Sequence, residues 1–107
     1  MTIFWVDSYV IKPDRLSEFT EVLRRFKAWM KEQPDMFKEV KSYKVFSHML
    51  GGRWGGYVEM FEFESLTEFE KWKNKIAQSE FAKTHLAESA SLTVPSSESL
   101  EMWNSVT

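Results

Sequence analysis

Three ionisable residues, Asp7, His48 and Glu59, fall in segments where polar and aromatic side chains alternate with apolar ones. Burial beside aromatic rings disfavours the charged form of a carboxyl group. The pKa values of Asp7 and Glu59 are therefore expected to rise. The direction of the shift for His48 depends on the group that lies beside it. A group tuned in this way can take a proton from an acidic carbon or a phenol. These three residues are the catalytic candidates.

A second interpretation of the same residues involves no chemistry. They could hydrogen-bond with one another, or pair across a subunit interface, and so contribute specificity rather than catalysis. One imidazole and two carboxylates far apart in the sequence also make a weak ligand set for a divalent cation. The sequence therefore predicts no metal site.

Aromatic residues form 16% of the 107-residue chain and include five Trp and nine Phe. Such a content indicates an aromatic-lined cavity or a large packed interface in addition to a core, although core packing alone is the alternative. The candidates for contact with a ligand are Trp5, Tyr9, Tyr57, Phe61, Trp72, His85 and Trp103. Trp72 also suits the core, because it lies on an apolar helical stripe, and His85 also suits the surface or a helix cap.

Alternation of side chains predicts four β-strands. They cover residues 3–11, 39–50, 57–64 and 100–106. The second and third are joined by the glycine-rich segment Gly51–Gly56, which is typical of an antiparallel hairpin. This segment lacks the following helix and the Lys-Ser/Thr ending of a phosphate-binding loop.

Apolar residues at steps of three and four predict helices over 15–32 and from residue 66 onward. Asp14 is a candidate cap for the first helix, and Ser65 begins a capping box for the second. Ser79 is placed to cap a further short helix. The small polar residues 88–99 predict a loop, with a short strand possible in 92–94.

The resulting order is strand, helix, strand, strand, helix, strand. It predicts one ferredoxin-like α+β domain over residues 1–107, with a four-stranded antiparallel sheet and both helices on one face. The residues predicted to lie under the helices are Phe4, Val6, Val10, Tyr43, Val45, Val58, Met60, Leu100 and Met102. Those predicted on the opposite face are Trp5, Asp7, Tyr9, Lys44, Phe46, His48, Tyr57, Glu59, Phe61, Glu101 and Trp103. Such an aromatic face needs a cover, so the prediction is a homodimer packed sheet against sheet.

Charge and composition exclude several classes of protein. The net charge is −2 and no basic block occurs, which argues against a nucleic-acid partner. The absence of cysteine excludes disulfides and thiol catalysis. The N-terminal sequence has neither a signal peptide nor a membrane span, so a cytoplasmic protein is expected.

The segment Phe61-Glu-Phe-Glu-Ser-Leu-Thr-Glu-Phe-Glu-Lys-Trp72, together with the order of elements, resembles the dimeric α+β barrel superfamily. Within it the chain is most similar to the NIPSNAP and antibiotic-biosynthesis-monooxygenase-like families. The resemblance covers nearly the whole chain and implies a homodimer with a ligand cavity in each subunit. Members include cofactor-free monooxygenases, haem-degrading enzymes, isomerases and proteins with no assigned role.

The haem-degrading members offer a closer comparison at three positions. Trp72 matches their helical Trp, and His85 resembles their iron-ligating His. However, the spacing between the two is about one helical turn longer here, and the Asn position of those enzymes falls on or beside Asp7, in a strand without Asn. An ionised Asp accepts hydrogen bonds but donates none, so it could not stabilise bound oxygen as an amide does. No cofactor is therefore predicted, and a haem-degrading enzyme is the less favoured alternative.

Two functions follow from these expectations. The first is a non-catalytic dimeric barrel that binds a small hydrophobic or aromatic metabolite in an aromatic-lined cavity. The second is a monooxygenase-like enzyme in which Asp7, His48 or Glu59 acts as the base. No catalytic pattern is complete in the sequence, which favours the binding protein.

Overall fold

The computed structural model describes residues 2–49 and 54–106. The predictions for Leu50 and for residues 51–53 of the hairpin tip lie outside the described residues. Within the described part of the chain, no helix has the length and apolar character needed to cross a membrane.

Four strands form one antiparallel sheet in the order β2-β3-β1-β4, which confirms the ferredoxin-like α+β fold. The strands are β1 (Ile3–Val10), β2 (Ser42–Ser47), β3 (Gly56–Phe63) and β4 (Ser99–Asn104). The helices are α1 (Leu16–Glu32), α2 (Leu66–Ala77) and α3 (Glu80–Leu92), and a 3-10 turn (Pro13–Arg15) precedes α1. Rings of α1 and α2 pack on the same face of the sheet.

Two of the three predicted helix caps are confirmed. The Ser65 hydroxyl accepts a hydrogen bond from the Glu68 amide at 3.3 Å, and the Ser79 hydroxyl accepts one from the Ala82 amide at 3.2 Å. Asp14 is not a cap, because it lies inside the 3-10 turn that Pro13 initiates, and α1 begins without a side-chain cap. Serine, by contrast, has a short hydroxyl that reaches the free amides of a first turn.

Helix α3 is longer than the sequence indicates. It continues to Leu92, so the predicted loop over 88–99 is wrong in its first part. Leu92 is 3% exposed and packs in a core cluster with Phe19 and Val22 of α1. Tertiary burial of this one large apolar side chain extends a helix whose last turns are otherwise small and polar.

The predicted faces of β1 and β3 are wrong. Asp7 pairs with Glu59 in register, and the strand partners on either side of them share the same face. Trp5 packs on Phe69 of α2 at 4.7 Å between ring centroids, and Tyr9 packs on Phe19 of α1 at 5.5 Å. The face with the aromatic and ionisable residues is therefore the one that the helices cover.

This reversal moves eleven predicted positions of the two central strands. Trp5, Asp7, Tyr9, Tyr57, Glu59 and Phe61 lie under the helices, whereas Phe4, Val6, Val10, Val58 and Met60 lie on the open face. Both rows of each strand are largely apolar, so alternation does not say which row is covered. The larger rings fill the space beneath the helices, while Val6 and Val10 of the other row are buried as well, at 1% and 8% exposed.

The assignments for β2 and β4 agree with the register. Tyr43 and Val45 pair with Phe61 and Glu59, so they share the covered side, and Leu100 and Met102 pair with Asp7 and Trp5. The open face receives Lys44, Phe46, Glu101 and Trp103. Strand β4 is exposed along its whole length, including the side that the helices cover elsewhere.

The core consists of two clusters. The large aromatic cluster contains Ile3, Phe26, Trp29, Phe37, Phe61, Phe63, Phe69, Trp72 and Ala82. The small cluster contains Tyr9, Ile11, Phe19, Val22 and Leu92. Both lie between the sheet and the helices, toward opposite ends of β1. Asp7 lies between the two clusters, on the covered face of β1.

Gly55 allows a prediction about stability, because its φ of +79° disfavours any residue with a Cβ atom. A Cβ there would lie 2.7 Å from the Ile11 carbonyl oxygen, while the Gly55 carbonyl accepts a hydrogen bond from the Ile11 amide at 2.8 Å. Gly55→Ala is expected to lower the free energy of unfolding by about 1–3 kcal/mol in urea denaturation.

Ser96 supplies the matched control, because it is a non-glycine residue with a φ of 65°. Ser96→Gly relieves that strain and should leave the free energy of unfolding unchanged or raise it by up to about 1 kcal/mol. Equal losses of stability in both variants would contradict the conformational explanation.

Candidate ligand cavity

A pair of carboxyl groups lies in the middle of the covered face of the sheet. Asp7 of β1 and Glu59 of β3 are direct cross-strand partners, and Val45 of β2 pairs with Glu59 on its other side. Like charges directly opposite each other on one face repel. The pair is therefore favourable only if protonation or a counter-charge reduces the repulsion.

Glu59 is a buried acid with one well-formed hydrogen bond. It is 9% exposed, and the Tyr43 hydroxyl donates to its Oε1 at 3.1 Å. Burial raises the pKa of Glu59 because the charged form loses its hydration, and the phenols of Tyr9 and Tyr43 oppose that shift without reversing it. The Glu59 carboxyl therefore keeps its proton to a higher pH than an ordinary glutamate does.

Asp7 is also shifted toward its neutral form. Burial, followed by hydrogen bonding with Glu98 and repulsion from Glu98 and Glu59, raises the pKa of Asp7 to about 8. At neutral pH the protonated carboxyl of Asp7 can donate to the Glu98 carboxylate. Its Oδ1 is buried and forms no hydrogen bond with any described residue.

Tyr9 adds a second buried polar atom without a partner. The residue is 8% exposed, and its hydroxyl forms no hydrogen bond of acceptable geometry among the described residues, although it lies close enough to Glu59 to affect that carboxyl. Burial and the nearby Glu59 raise the pKa of Tyr9 above its ordinary value, so its hydroxyl remains a donor. Buried polar atoms of this kind usually have a partner, from protein, water or ligand.

These groups line a cavity of about 660 Å³ between the sheet and α3. The lining residues are Asp7, Tyr9, Glu59, His85, Leu86, Ser89, Ala90, Thr93, Val94, Pro95, Ser96 and Glu98. The floor comes from β1 and β3, one wall from α3, and the roof from the segment 93–98. This volume lies within the range of small-molecule sites, about 300–1,000 Å³.

The roof segment 93–98 is held by backbone contacts with the end of β1. Thr93 forms an isolated bridge with Ile11, and the Val94 amide donates to the Val10 carbonyl at 2.8 Å. The Val10 amide in turn donates to the Ser97 hydroxyl at 3.1 Å. The bridge lies within the short strand predicted at 92–94, and these contacts position Glu98 beside Asp7.

His85 contributes one wall of the cavity. Its ring stacks on Phe26 of α1 at 4.5 Å and lies parallel to Phe81 at 6.4 Å. Burial lowers the pKa of His85, while Glu88 opposes and Arg25 supports that shift. The neutral imidazole can therefore both donate and accept a hydrogen bond at the cavity wall.

The structure brings together four of the predicted site residues: Asp7, Tyr9, Glu59 and His85 all line the cavity. His48 does not join them. It follows the last residue of β2, is exposed, and has its amide bound to the Gly56 carbonyl at 2.9 Å. Since Ser47 pairs with Tyr57 on the covered side, alternation directs the next residue to the other face. The predicted common face of His48 with the two carboxyl groups is therefore wrong.

The other predicted ligand contacts lie elsewhere. Trp5, Phe61 and Trp72 pack with the large aromatic cluster. Tyr57 stacks on Tyr9 at 6.2 Å but does not line the cavity. Trp103 pairs with Phe4 and is exposed on the open face, as predicted, but it does not share that face with Trp5, which lies under the helices.

Glu98 is the site residue that the sequence does not reveal. It lies in a segment of small polar residues, and nothing nearby in the chain marks it as functional. Its position follows from the register of β4, in which Ser99 pairs with Ser8 of β1. A carboxylate just before β4 therefore comes to lie beside Asp7.

The residues do not fit the haem site of the haem-degrading enzymes. Trp72 is 7% exposed in the large aromatic cluster, away from the cavity that His85 lines. Asp7 lies at or beside the strand position where the haem-degrading enzymes have an Asn. It is the cross-strand partner of Glu59 and lies close to Glu98. Among the residues that the structure describes, no group of three or more His, Asp or Glu could hold a metal ion.

Several solved structures share this fold. A NIPSNAP family protein from Agrobacterium tumefaciens has a TM-score of 0.74 at 15% identity, covering 97% of this chain and 92% of that chain. A provisional antibiotic biosynthesis monooxygenase from Caulobacter crescentus has a TM-score of 0.75 at 15% identity, covering 99% and 91%. A mutant of SnoaB, a cofactor-independent oxygenase from Streptomyces nogalater, has a TM-score of 0.69 at 15% identity, covering 99% and 94%.

These comparisons confirm the predicted resemblance to NIPSNAP and antibiotic-biosynthesis-monooxygenase-like proteins at the level of the fold. At identities this low they establish no more than the fold. No protein-family model matches the chain, and no curated protein matches it in sequence.

The raised pKa of Asp7 predicts how stability depends on pH. The folded protein retains a proton on Asp7 up to about pH 8, whereas the unfolded chain releases it near the ordinary value of 3.8. The free energy of unfolding should therefore fall as the pH rises from about 4 to about 8. Asp7→Asn removes this part of the slope and should be more stable than the wild type at pH 8.5 by about 1–3 kcal/mol, after allowance for partial exposure.

Urea denaturation between pH 4 and pH 9 measures this effect. Glu70→Gln, at an exposed position of α2, is the control for the loss of one negative charge. It should leave the slope unchanged. If Asp7→Asn and the wild type show the same slope, Asp7 does not retain its proton in the folded state.

Proposed function

We propose that this chain is a small single-domain α+β barrel protein that binds a small hydrophobic or aromatic metabolite in the cavity beneath α3. The observation that carries the proposal is the presence of two unpartnered buried polar atoms, Asp7 Oδ1 and Tyr9 Oη, at a cavity of about 660 Å³. An unsatisfied buried polar atom costs about 1–3 kcal/mol. A bound ligand that hydrogen-bonds to both atoms would remove that cost.

The walls of the cavity support a ligand with a mainly apolar body. Leu86, Ala90, Val94 and Pro95 supply aliphatic surface, and the polar groups converge on the floor. A mostly apolar lining with a few convergent polar groups is typical of small-molecule sites. The backbone contacts of segment 93–98 with β1 give the cavity a fixed roof before the ligand binds.

We also propose that two copies associate through the open face of the sheet. Phe46 and Trp103 are each 47% exposed there, beside the partly buried Phe4, Val58 and Met60. Apolar side chains spread over an uncovered sheet face favour an interface. A two-fold related copy provides the same surface, and this arrangement is what the likeness to dimeric α+β barrels implies. A cytoplasmic location remains a prediction from the sequence.

A monooxygenase-like enzyme is the second candidate. Its support is the pKa of about 8 for Asp7, which lies near the operating range of a general base. In its ionised form Asp7 could take a proton from an acidic carbon or phenol of the ligand, with Glu98 beside it to share that proton. The fold is shared with a cofactor-independent oxygenase, so the fold itself is compatible with such chemistry.

The oligomeric state tests the proposed interface. Size-exclusion chromatography with light scattering should give a dimer for the wild type. Phe46→Glu should weaken the dimer by at least about 10-fold, because the interface would bury an unpaired charge. Leu66→Glu on α2 is a matched control: Leu66 is 56% exposed but lies away from the open face, so the dimer should persist. A monomeric wild type at all concentrations would contradict the interface.

Binding of 1-naphthol, a neutral aromatic probe, tests the cavity. Ala90→Trp places a large ring against the α3 wall and should weaken binding at least about 10-fold in a fluorescence titration. Ala87→Trp, on the same helix but outside the cavity, should bind like the wild type. Equal affinities for all three proteins would show that the probe binds elsewhere.

A further inference from the structure

The cavity contains several carboxyl groups although much of its wall is aliphatic. Its described walls include three carboxyl groups, Asp7, Glu59 and Glu98, and no Lys or Arg. The first two come from the floor and the third from the end of the roof. They converge on the same region, because repulsion from Glu98 and from Glu59 both act on Asp7.

The nearby cations are engaged outside the cavity. Arg25 of α1 forms an ion pair with Glu88 of α3 at 2.7 Å, and the Lys12 ammonium donates to the Ser91 carbonyl at 3.0 Å. The other titratable groups that face Asp7 are the phenols of Tyr9 and Tyr43 and, across the cavity, the neutral imidazole of His85. The protein therefore provides no described counter-charge for the three carboxyl groups.

The buried oxygen atoms without hydrogen-bond partners limit the kinds of ligand that suit the cavity. Asp7 Oδ1 can accept a hydrogen bond, and Tyr9, 8% exposed at the cavity floor, has an unpartnered hydroxyl that both donates and accepts. An ammonium group has three N–H donors and a positive charge, so it can satisfy several such oxygens at once. An anionic ligand would lie beside three carboxyl groups, with no Lys or Arg among the described lining residues to balance its charge.

We propose that the ligand carries a protonated amine on its hydrophobic or aromatic body, with the ammonium group bound among Asp7, Glu59 and Glu98. This inference rests on the proposed binding function and specifies the chemical class of its ligand. The apolar part of the ligand lies against Leu86 and the roof, and the ammonium group lies over the carboxyl floor. The bound cation replaces the proton that otherwise relieves the repulsion between the acids.

Two measurable consequences follow from that exchange. Near neutral pH, binding of the amine releases a proton from the carboxyl floor to the solution, because Asp7 becomes ionised when it pairs with the ammonium group. The affinity for the amine should therefore increase as the pH rises from 6 to 8. A neutral ligand of the same shape shows neither effect.

The test compares two probes that differ in one group, 2-(1-naphthyl)ethylamine and 2-(1-naphthyl)ethanol. Isothermal titration calorimetry at pH 7.5 should show the amine binding at least about 10-fold more tightly. Titrations in two buffers with different ionisation enthalpies should show net proton release for the amine and none for the alcohol. Glu98→Gln should reduce the preference for the amine several-fold. Glu70→Gln, at an exposed position of α2, is the control for one lost charge and should retain the preference.

The outcomes separate this inference from the proposed function. If the alcohol binds as tightly as the amine, or more tightly, the inference is wrong while a small-molecule cavity stands. If the amine binds more tightly but without proton release, and Glu98→Gln keeps the preference, the ammonium group does not lie on the carboxyl floor and the inference is also wrong. If neither probe binds, both the inference and the proposed function fail.

Discussion

The arrangement of this protein depends on the burial of two neighbouring carboxyl groups, Asp7 and Glu59, on the covered face of the sheet. Desolvation and mutual repulsion both favour their protonated forms, so neither can be treated as an ordinary surface acid. The Tyr43 hydroxyl donates a hydrogen bond to Glu59, and the nearby Glu98 helps to raise the pKa of Asp7. The sheet is therefore aromatic near both ends of β1 and acidic between them.

The large aromatic cluster holds this acidic row in place. Tyr43 packs on Phe61 at 4.7 Å, and Phe61 packs on Trp72 of α2 at 5.0 Å. The Tyr43 hydroxyl that binds Glu59 is thus positioned by a series of packed rings that ends at Trp72 of α2. Such a fixed donor orients one carboxyl while the other remains available to the cavity, which is what a binding or proton-transfer site requires.

Helix α3 and the roof segment 93–98 cover the acidic row in part and so form a cavity over it. A simple ferredoxin-like sheet with two helices would leave Asp7 near solvent, because β4 is exposed along its length. The bridge between Ile11 and Thr93 closes the segment over the floor and brings Glu98 into contact with Asp7. The same contacts that cover the cavity thus bring its three carboxyl groups together.

The sequence by itself determined the order of the elements, the serine caps and a common strand face for Asp7, Tyr9 and Glu59, because these follow from local spacing and alternation. It did not determine which face of β1 and β3 the helices cover, since both rows of those strands are apolar enough to be buried. The tertiary structure decided that point through the volume of the rings beneath the helices. It also separated His48 from the site and added Glu98, because strand register brings together residues that no local pattern connects.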